Sequence, residues 1–311
     1  MEAQRAYRIR ERPLSPEDYD VPLGWWGWNW EPPVPMSIAE IVAARNFDAR
    51  AAAVCWLALE GHGSLLIAAE PPHSGKTTTL TALLDLVPHD VRRVFLRGWA
   101  ETFDFMGQTE PRRTLLLANE LSSHLPVYLW GPKAVETFRT LRRGYALAST
   151  LHADNADEAV AQLTGELGVD PADLARVDLL LVMHMFRLGG AYAGAGSPGP
   201  VGAIARRVVS MHRLVPGPLM AAGASGGVRL LPLATFDPER DALDHDETAE
   251  LDLLCSRRGG PLDALRAELD RRERWLGSLV QRGLTAIPAV RQALAELRGE
   301  AWPRMLRGDP A

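Results

Sequence analysis

The sequence predicts an α/β fold: a parallel sheet covered by helices on both faces, followed by a helical C-terminal tail. Three observations lead there. Short apolar runs alternate with helical stretches from residue 64 to residue 186. Several of those runs are apolar at every position, as strands buried on both faces are. Finally, the last 70 or so residues carry leucines at helical spacing and no strand pattern.

Taken in order, residues 1–36 form a Pro- and Trp-rich extension, with GWWGWNW at 24–30, expected to pack as a clasp on the main body, with a partner-binding patch as the alternative. Ser37 opens a helical stretch, SIAEIVAARNF, and a second, DARAAAVCWLALEGHG, is ended by Gly61 and Gly63. SLLIAA (64–69) reads as a buried strand and 77–86 as a helix. RRVFL (92–96), TLLLAN (114–119), YALASTL (145–151) and VDLLLVMHMF (177–186) read as strands, with helices over 134–143 and in DEAVAQLTGEL. Two Gly/Pro/Ala-rich stretches, 189–205 and 216–227, read as loops around a strand at 206–215. With a further strand at 228–236 this forms a hairpin-like edge to the sheet. An acidic link, DPERDALDHDETAE, leads to the tail, where Leu262, Leu265, Leu269, Leu276, Leu279 and Val280 keep mostly to one helical face. Gly283 ends that helix, and a last one begins at Pro288. The expected organisation is an extension at 1–36, a core at 37–240 and a helical region at 241–311.

Composition removes several classes. The 311 residues are 47% hydrophobic and 23% charged, enough to build a core, and the net charge is −5 with a pI near 5.9. No basic field is available to hold a nucleic-acid backbone, so direct nucleic-acid binding is not expected. Two cysteines, Cys55 and Cys255, cannot make a disulfide scaffold or a four-thiolate zinc module. The N-terminal stretch has no apolar signal-peptide core and no run of 18 apolar residues occurs, so the expected location is cytoplasmic. Of 34 basic residues only Lys76 and Lys133 are lysines. Lys76 lies in the segment with the strongest chemical signal.

That segment is Glu70-Pro71-Pro72-His73-Ser74-Gly75-Lys76-Thr77, placed between a strand and a helix. It matches the end of the phosphate loop G-x-x-x-x-G-K-[ST]. In such a loop the backbone N–H groups of Ser74, Gly75, Lys76, Thr77 and Thr78 wrap phosphates at a helix N-terminus. Lys76 supplies a point charge and the Thr77 hydroxyl a ligand for Mg²⁺. Glu70 stands where the motif has its first glycine, a position expected to resist the required backbone angles and to repel polyphosphate. A second signal is Asn119-Glu120 at the carboxyl end of TLLLAN, the edge where open α/β sheets bind ligands. A carboxylate there can orient a water and accept its proton. A third is His152 in STLHADN, also at a strand end, where an imidazole can report on a terminal phosphate.

Together these segments resemble the secretion and pilus ATPases of type II and type IV systems, including archaeal flagellar and Tad-type motors. The resemblance runs from SIAEIVAARNF through HSGKTTT, LLLANE, the His-box-like GYALASTLHADNADEAVAQL and VDLLLVMHMF to RRERWLGSLVQRGLTAIPAVRQAL, roughly residues 37–297. It implies a RecA-like P-loop domain that binds and hydrolyses ATP with Mg²⁺, with Lys76 and Thr77 on phosphate and metal, Glu120 activating water and His152 sensing nucleotide. It also implies a hexameric ring at the inner face of a membrane, working on a polytopic membrane platform protein. Glu101, in LRGWAETFDF, is the one residue that fits the family's acidic box. The sequence departs from the family in that box, in the short span before LLLANE and in the 36 residues where the family has a larger N-terminal domain that supplies arginines. These departures favour a second reading, a nucleotide-binding regulator that hydrolyses poorly. A P-loop small-molecule kinase is a third, opposed by the His-box segment.

Overall fold

A computed structural model describes residues 16–20, 35–70, 73–187, 204–218 and 227–299. The Trp-rich clasp, Pro71 and Pro72, and most of the two Gly-rich loops lie outside these residues. Two helices lead in. In α1 (Ile38–Ala43), Ser37 accepts from the Glu40 N–H and Glu40 reaches back to the Ser37 N–H, a complete capping box. Asp48 caps α2 (Ala49–Glu60), whose Ala51–Leu59 stretch is buried all round, and Gly61 ends it.

The sheet then forms from β1 (Leu65–Ala68), β2 (Arg92–Phe95), β3 (Thr114–Leu117), β4 (Ala146–Leu151), β5 (Leu179–Arg187), β6 (Ile204–Pro216), β7 (Val228–Asp237) and β8 (Ala242–His245). Its order is β2-β3-β4-β1-β5-β6-β7-β8. The first five strands are parallel, and β6, β7 and β8 extend them in antiparallel fashion. The expected hairpin edge is therefore present, and it is one strand longer than the sequence predicts. β8 falls in the stretch read as an acidic link; its four residues, ALDH, are too short and too polar to announce a strand.

The remaining helices are α3 (Lys76–Leu84), α4 (Gly131–Thr140), α5 (Ala156–Ala161), α6 (Pro171–Leu174), α7 (Glu247–Arg258), α8 (Leu262–Gln281) and α9 (Ile287–Arg298). The helix expected at 134–143 starts earlier, with Pro132 in its first turn, and gives way to a 3-10 turn at Leu141–Arg143. Between β2 and β3 no α-helix forms. Three 3-10 turns carry the chain instead, and the Glu101 carboxylate pins the first two by accepting from the Arg97 N–H, the Phe103 N–H and the Tyr19 hydroxyl.

Two apolar layers hold the sheet between them. Leu65, Ile67, Leu115 and Leu117 face α1, α2, α3 and the C-terminal helices, while Leu66, Ala68 and Leu116 face α4, α5 and Tyr19. The side-chain period of two thus splits each central strand between both cores. The C-terminal helices join the first core through Leu251, Leu254, Leu265, Leu269, Leu276, Leu279, Val290 and Leu294. Leu262 does not join them; at the start of α8 it is exposed. Trp56 of α2 is wholly buried, with the Arg272 guanidinium 3.9 Å from its ring centroid, so α8 is held by stacking as well as by leucines. Among the described residues no helix is long and apolar enough to cross a membrane.

Candidate active site

Placing β4 between β1 and β3 brings the carboxyl ends of three strands side by side. The loop after β1 begins with Ala69 and Glu70 and enters α3 through His73, Ser74 and Gly75. Gly75 has φ +93°, and a Cβ there would meet Arg206 Cδ at 2.9 Å, so glycine is required by conformation and by space. His73 is also left-handed, at φ +62°, which strains a non-glycine residue by about 1–3 kcal/mol. Glu70 is not among the residues with positive φ. The expectation that Glu70 resists the loop's backbone angles is therefore wrong: the left-handed turns fall at positions 73 and 75, closer to the helix.

α3 starts without a side-chain cap, so its first N–H groups have no side-chain acceptor. The Ser74 hydroxyl is buried and unpartnered among the described residues. Thr77 and Thr78 are half-buried in the first turn. The Lys76 side chain is buried and donates to the Ala69 carbonyl at 2.9 Å, folding back across its own loop. Burial lowers its ammonium below the usual lysine range, against the upward pull of Glu120 and Glu70. A free helix N-terminus, an unsatisfied hydroxyl and a partly desolvated lysine form a donor set that fits a polyphosphate.

Glu120 and His152 are brought together by a short sheet-like junction. Leu121 bridges Leu151 at the end of β4, and its N–H donates to the Thr150 carbonyl at 2.8 Å. The residues flanking that bridge then face each other: Glu120 Oε1 lies 3.1 Å from His152 Nε2. His152 Nδ1 lies 2.8 Å from the Glu70 carbonyl and 3.5 Å from Lys76 Nζ. A carbonyl only accepts, so the shorter contact assigns the proton to Nδ1. The contact with Glu120 raises the His152 pKa, opposed by burial and by Lys76. Lys76, Glu120 and His152 thus form one contact chain across three strand ends.

Glu101 does not join this chain. Among the described residues its carboxylate contacts are with its own loop and Tyr19, and Lys133 Nζ donates to its carbonyl. Two neighbours of the site escape sequence reasoning. Arg206, on β6, donates from Nε to the His73 carbonyl at 2.9 Å. Its nearness depends on the pairing of β6 with β5, which no local pattern states. His124 stacks obliquely near His152, ring centroids 5.7 Å apart, from a loop with no periodicity to aim it.

No family model matches the chain. The curated proteins contain a relative from Methanocaldococcus jannaschii, "Uncharacterized protein MJ0900", 29% identical over 158 residues. The match covers 43% of this chain and 27% of that protein, so the matched part spans about a quarter of its relative. Among solved structures the chain is similar to the VirB11 ATPase of the Brucella suis type IV secretion system, with 16% identity, 65% of this chain and 60% of that one covered, and a TM-score of 0.34. It is also similar to the Legionella pneumophila ATPase DotB, with 13% identity, 87% and 64% coverage, and a TM-score of 0.33. Both of these structures are of ATPases, and the first belongs to a type IV secretion system. At such scores the likeness carries no argument about mechanism, which rests on the residues themselves.

Proposed function

We propose that the chain is a RecA-like P-loop ATPase of the secretion and pilus type, with its nucleotide site at the carboxyl ends of β1, β3 and β4. The observation that carries this reading is the contact chain from Lys76 through His152 to Glu120, set beside an uncapped helix N-terminus. Lys76 would exchange its bond to the Ala69 carbonyl for the phosphates, with the N–H groups of Ser74 to Thr78 around them. Bound at Thr77, Mg²⁺ would neutralise charge developing on the phosphate oxygens. Glu120, nearly buried, with one oxygen lacking an aligned donor among the described residues, is placed to orient a water and take its proton. His152 joins the Glu120 carboxylate to the backbone of the phosphate loop, so a change at one is felt at the other. By resemblance the working form is a hexamer acting on a polytopic membrane protein.

The test is ATP·Mg²⁺ binding and turnover of the full chain. Lys76→Ala is expected to abolish tight binding, each lost charge-assisted contact costing about 1.5–3 kcal/mol. Unchanged affinity in a folded variant would remove the phosphate-loop reading. The second reading, a regulator that binds and hydrolyses poorly, is supported by the exposed acidic Glu70 beside the loop. Nucleotide affinity with no turnover in wild type would select it.

A further inference from the structure

Glu120, His124 and His152 each offer one ligand atom, and the three atoms lie within 4.8 Å of one another. This is the one such group among the described residues. We propose that these three residues form a binding site for a transition-metal dication of the zinc class, separate in chemistry from the Mg²⁺ position at Thr77.

Donor type argues first. Two imidazoles and a carboxylate suit zinc, cobalt or nickel and are a poor set for magnesium, which prefers oxygen and keeps its waters. Orientation argues second. His152 Nδ1 is held by the Glu70 carbonyl at 2.8 Å, which leaves Nε2 as its available ligand atom, turned toward Glu120. A metal-ligating histidine characteristically has its other ring nitrogen fixed by a carbonyl or carboxylate. Need argues third. Glu120 Oε1 is buried, has no aligned hydrogen-bond donor among the described residues, and sits 3.1 Å from that imidazole nitrogen. A carboxylate and an imidazole nitrogen at that distance need a positive centre between them, which is a proton on Nε2 when no metal is bound and the metal ion that displaces it when one is.

The spacing is within reach. A tetrahedral zinc ion with bonds of about 2.0–2.2 Å places its ligand atoms about 3.3–3.5 Å apart. Glu120 and His152, at 3.1 Å, need to part by only a few tenths of an ångström to meet it. His124 is exposed, so its side chain can close the remaining ångström or so without disturbing a core. Three protein ligands leave a position for water. The site itself stands on this donor geometry alone. Its consequence rests on the ATPase reading: an ion there ties up both the water-orienting carboxylate and the histidine, so it inhibits turnover.

The experiment uses the nucleotide-free full chain, since ATP itself chelates zinc. Co²⁺ titration followed by visible absorption, and Zn²⁺ titration by calorimetry, are expected to give one tight equivalent without a thiolate charge-transfer band. His124→Ala should weaken that equivalent by about tenfold or more, and His89→Ala, an exposed histidine in the turn between α3 and β2, should not. Absence of a stoichiometric equivalent, a thiolate band assigning the metal to Cys255, or equal weakening by both substitutions would overturn the proposal. In a second arm, micromolar Zn²⁺ is added to the ATPase assay, and His124→Ala is expected to relieve its inhibition. A chain that binds Co²⁺ as described but hydrolyses no ATP would uphold the site and refute the ATPase reading.

Discussion

Glu120 and Glu60 are both carboxylates nearly withdrawn from water, with side-chain exposures of 9% and 11%, at opposite ends of one sheet. Their surroundings could hardly differ more. Glu60 closes α2 on the amino-terminal side of the strands. It accepts from Trp56 Nε1 at 2.7 Å and meets Arg258, Arg272 and Arg298 at 3.1, 3.2 and 3.5 Å. Among the described residues Glu120 has one such side-chain contact, His152 Nε2 at 3.1 Å. A cavity of about 1460 Å³ opens on the Glu60 side and is lined by Arg112, Arg142, Arg143 and Arg257 among others. Size makes it look like an active site, yet several of its charges are already spoken for: Arg142 lies against Asp170 and Asp173, Arg257 against Asp178 and Arg258 against Glu60. Saturated charges fasten elements together; a charge left short of partners is available for chemistry.

The comparison breaks most sharply at the two carboxylates. Glu120→Gln is expected to keep ATP binding and lower kcat about 10²–10⁴-fold with little change in stability, because the amide keeps the shape but is a poor base. Glu60→Ala should do the converse. Leaving Arg272 and Arg298 buried without it should cost about 3–5 kcal/mol in urea unfolding, while nucleotide affinity at low temperature stays the same. If Glu60→Ala impairs turnover more than stability, the division between the two ends of the sheet is wrong.

A third withdrawn group sharpens the point. His245 of β8 bridges Glu250 and Asp48 at 2.7 and 2.9 Å. Burial disfavours its charge, but the two carboxylates outweigh burial and lift its pKa to about 9 from 6.5. A raised folded-state pKa means that the bridge contributes fully below pH 6.5, and the contribution is lost as pH rises through about 9. Wild type is expected to lose about 1–3 kcal/mol between pH 6 and pH 9.5 relative to His245→Gln, which should lack that slope. Parallel slopes in urea unfolding of the two would remove His245 as the source. The smallest effect belongs to Glu70. Exposed and unpaired among the described residues, it should act only as a screened charge. Glu70→Gln is expected to tighten ATP binding by at most about fivefold at low salt and not at high salt. A larger or salt-independent change would mean that its side chain enters the nucleotide site.

Much of this site is legible in the sequence because its parts are local. Ser74–Thr78 declare a helix opening, and Glu120 and His152 each end an apolar run, so a parallel sheet puts both at its carboxyl edge. What joins them is not local. The Leu121–Leu151 bridge that sets Glu120 against His152 spans thirty positions of chain, and Arg206 arrives through strand pairing alone. His124 sits in an irregular loop, where no period says which way a side chain turns. Glu101 shows the limit of a local motif: the sequence marks an acidic residue but not its partners, which are the Arg97 N–H, the Phe103 N–H and the Tyr19 hydroxyl. β8 is missed because edge strands need neither length nor apolar alternation when a neighbouring strand supplies their partners.

Arg206 gives the loop between β1 and α3 an unusual dependence. It grips the carbonyl of His73, the one left-handed non-glycine residue described in the loop, from a strand that lies 133 positions downstream. The loop's shape is therefore not a property of its own eight residues. Transplanted into another scaffold, the segment from Glu70 to Thr77 would leave behind the guanidinium that steadies its most strained residue, and would be expected to relax. The antiparallel arm and this loop are in this sense mechanically joined: a change at position 206 is felt at the backbone of position 73.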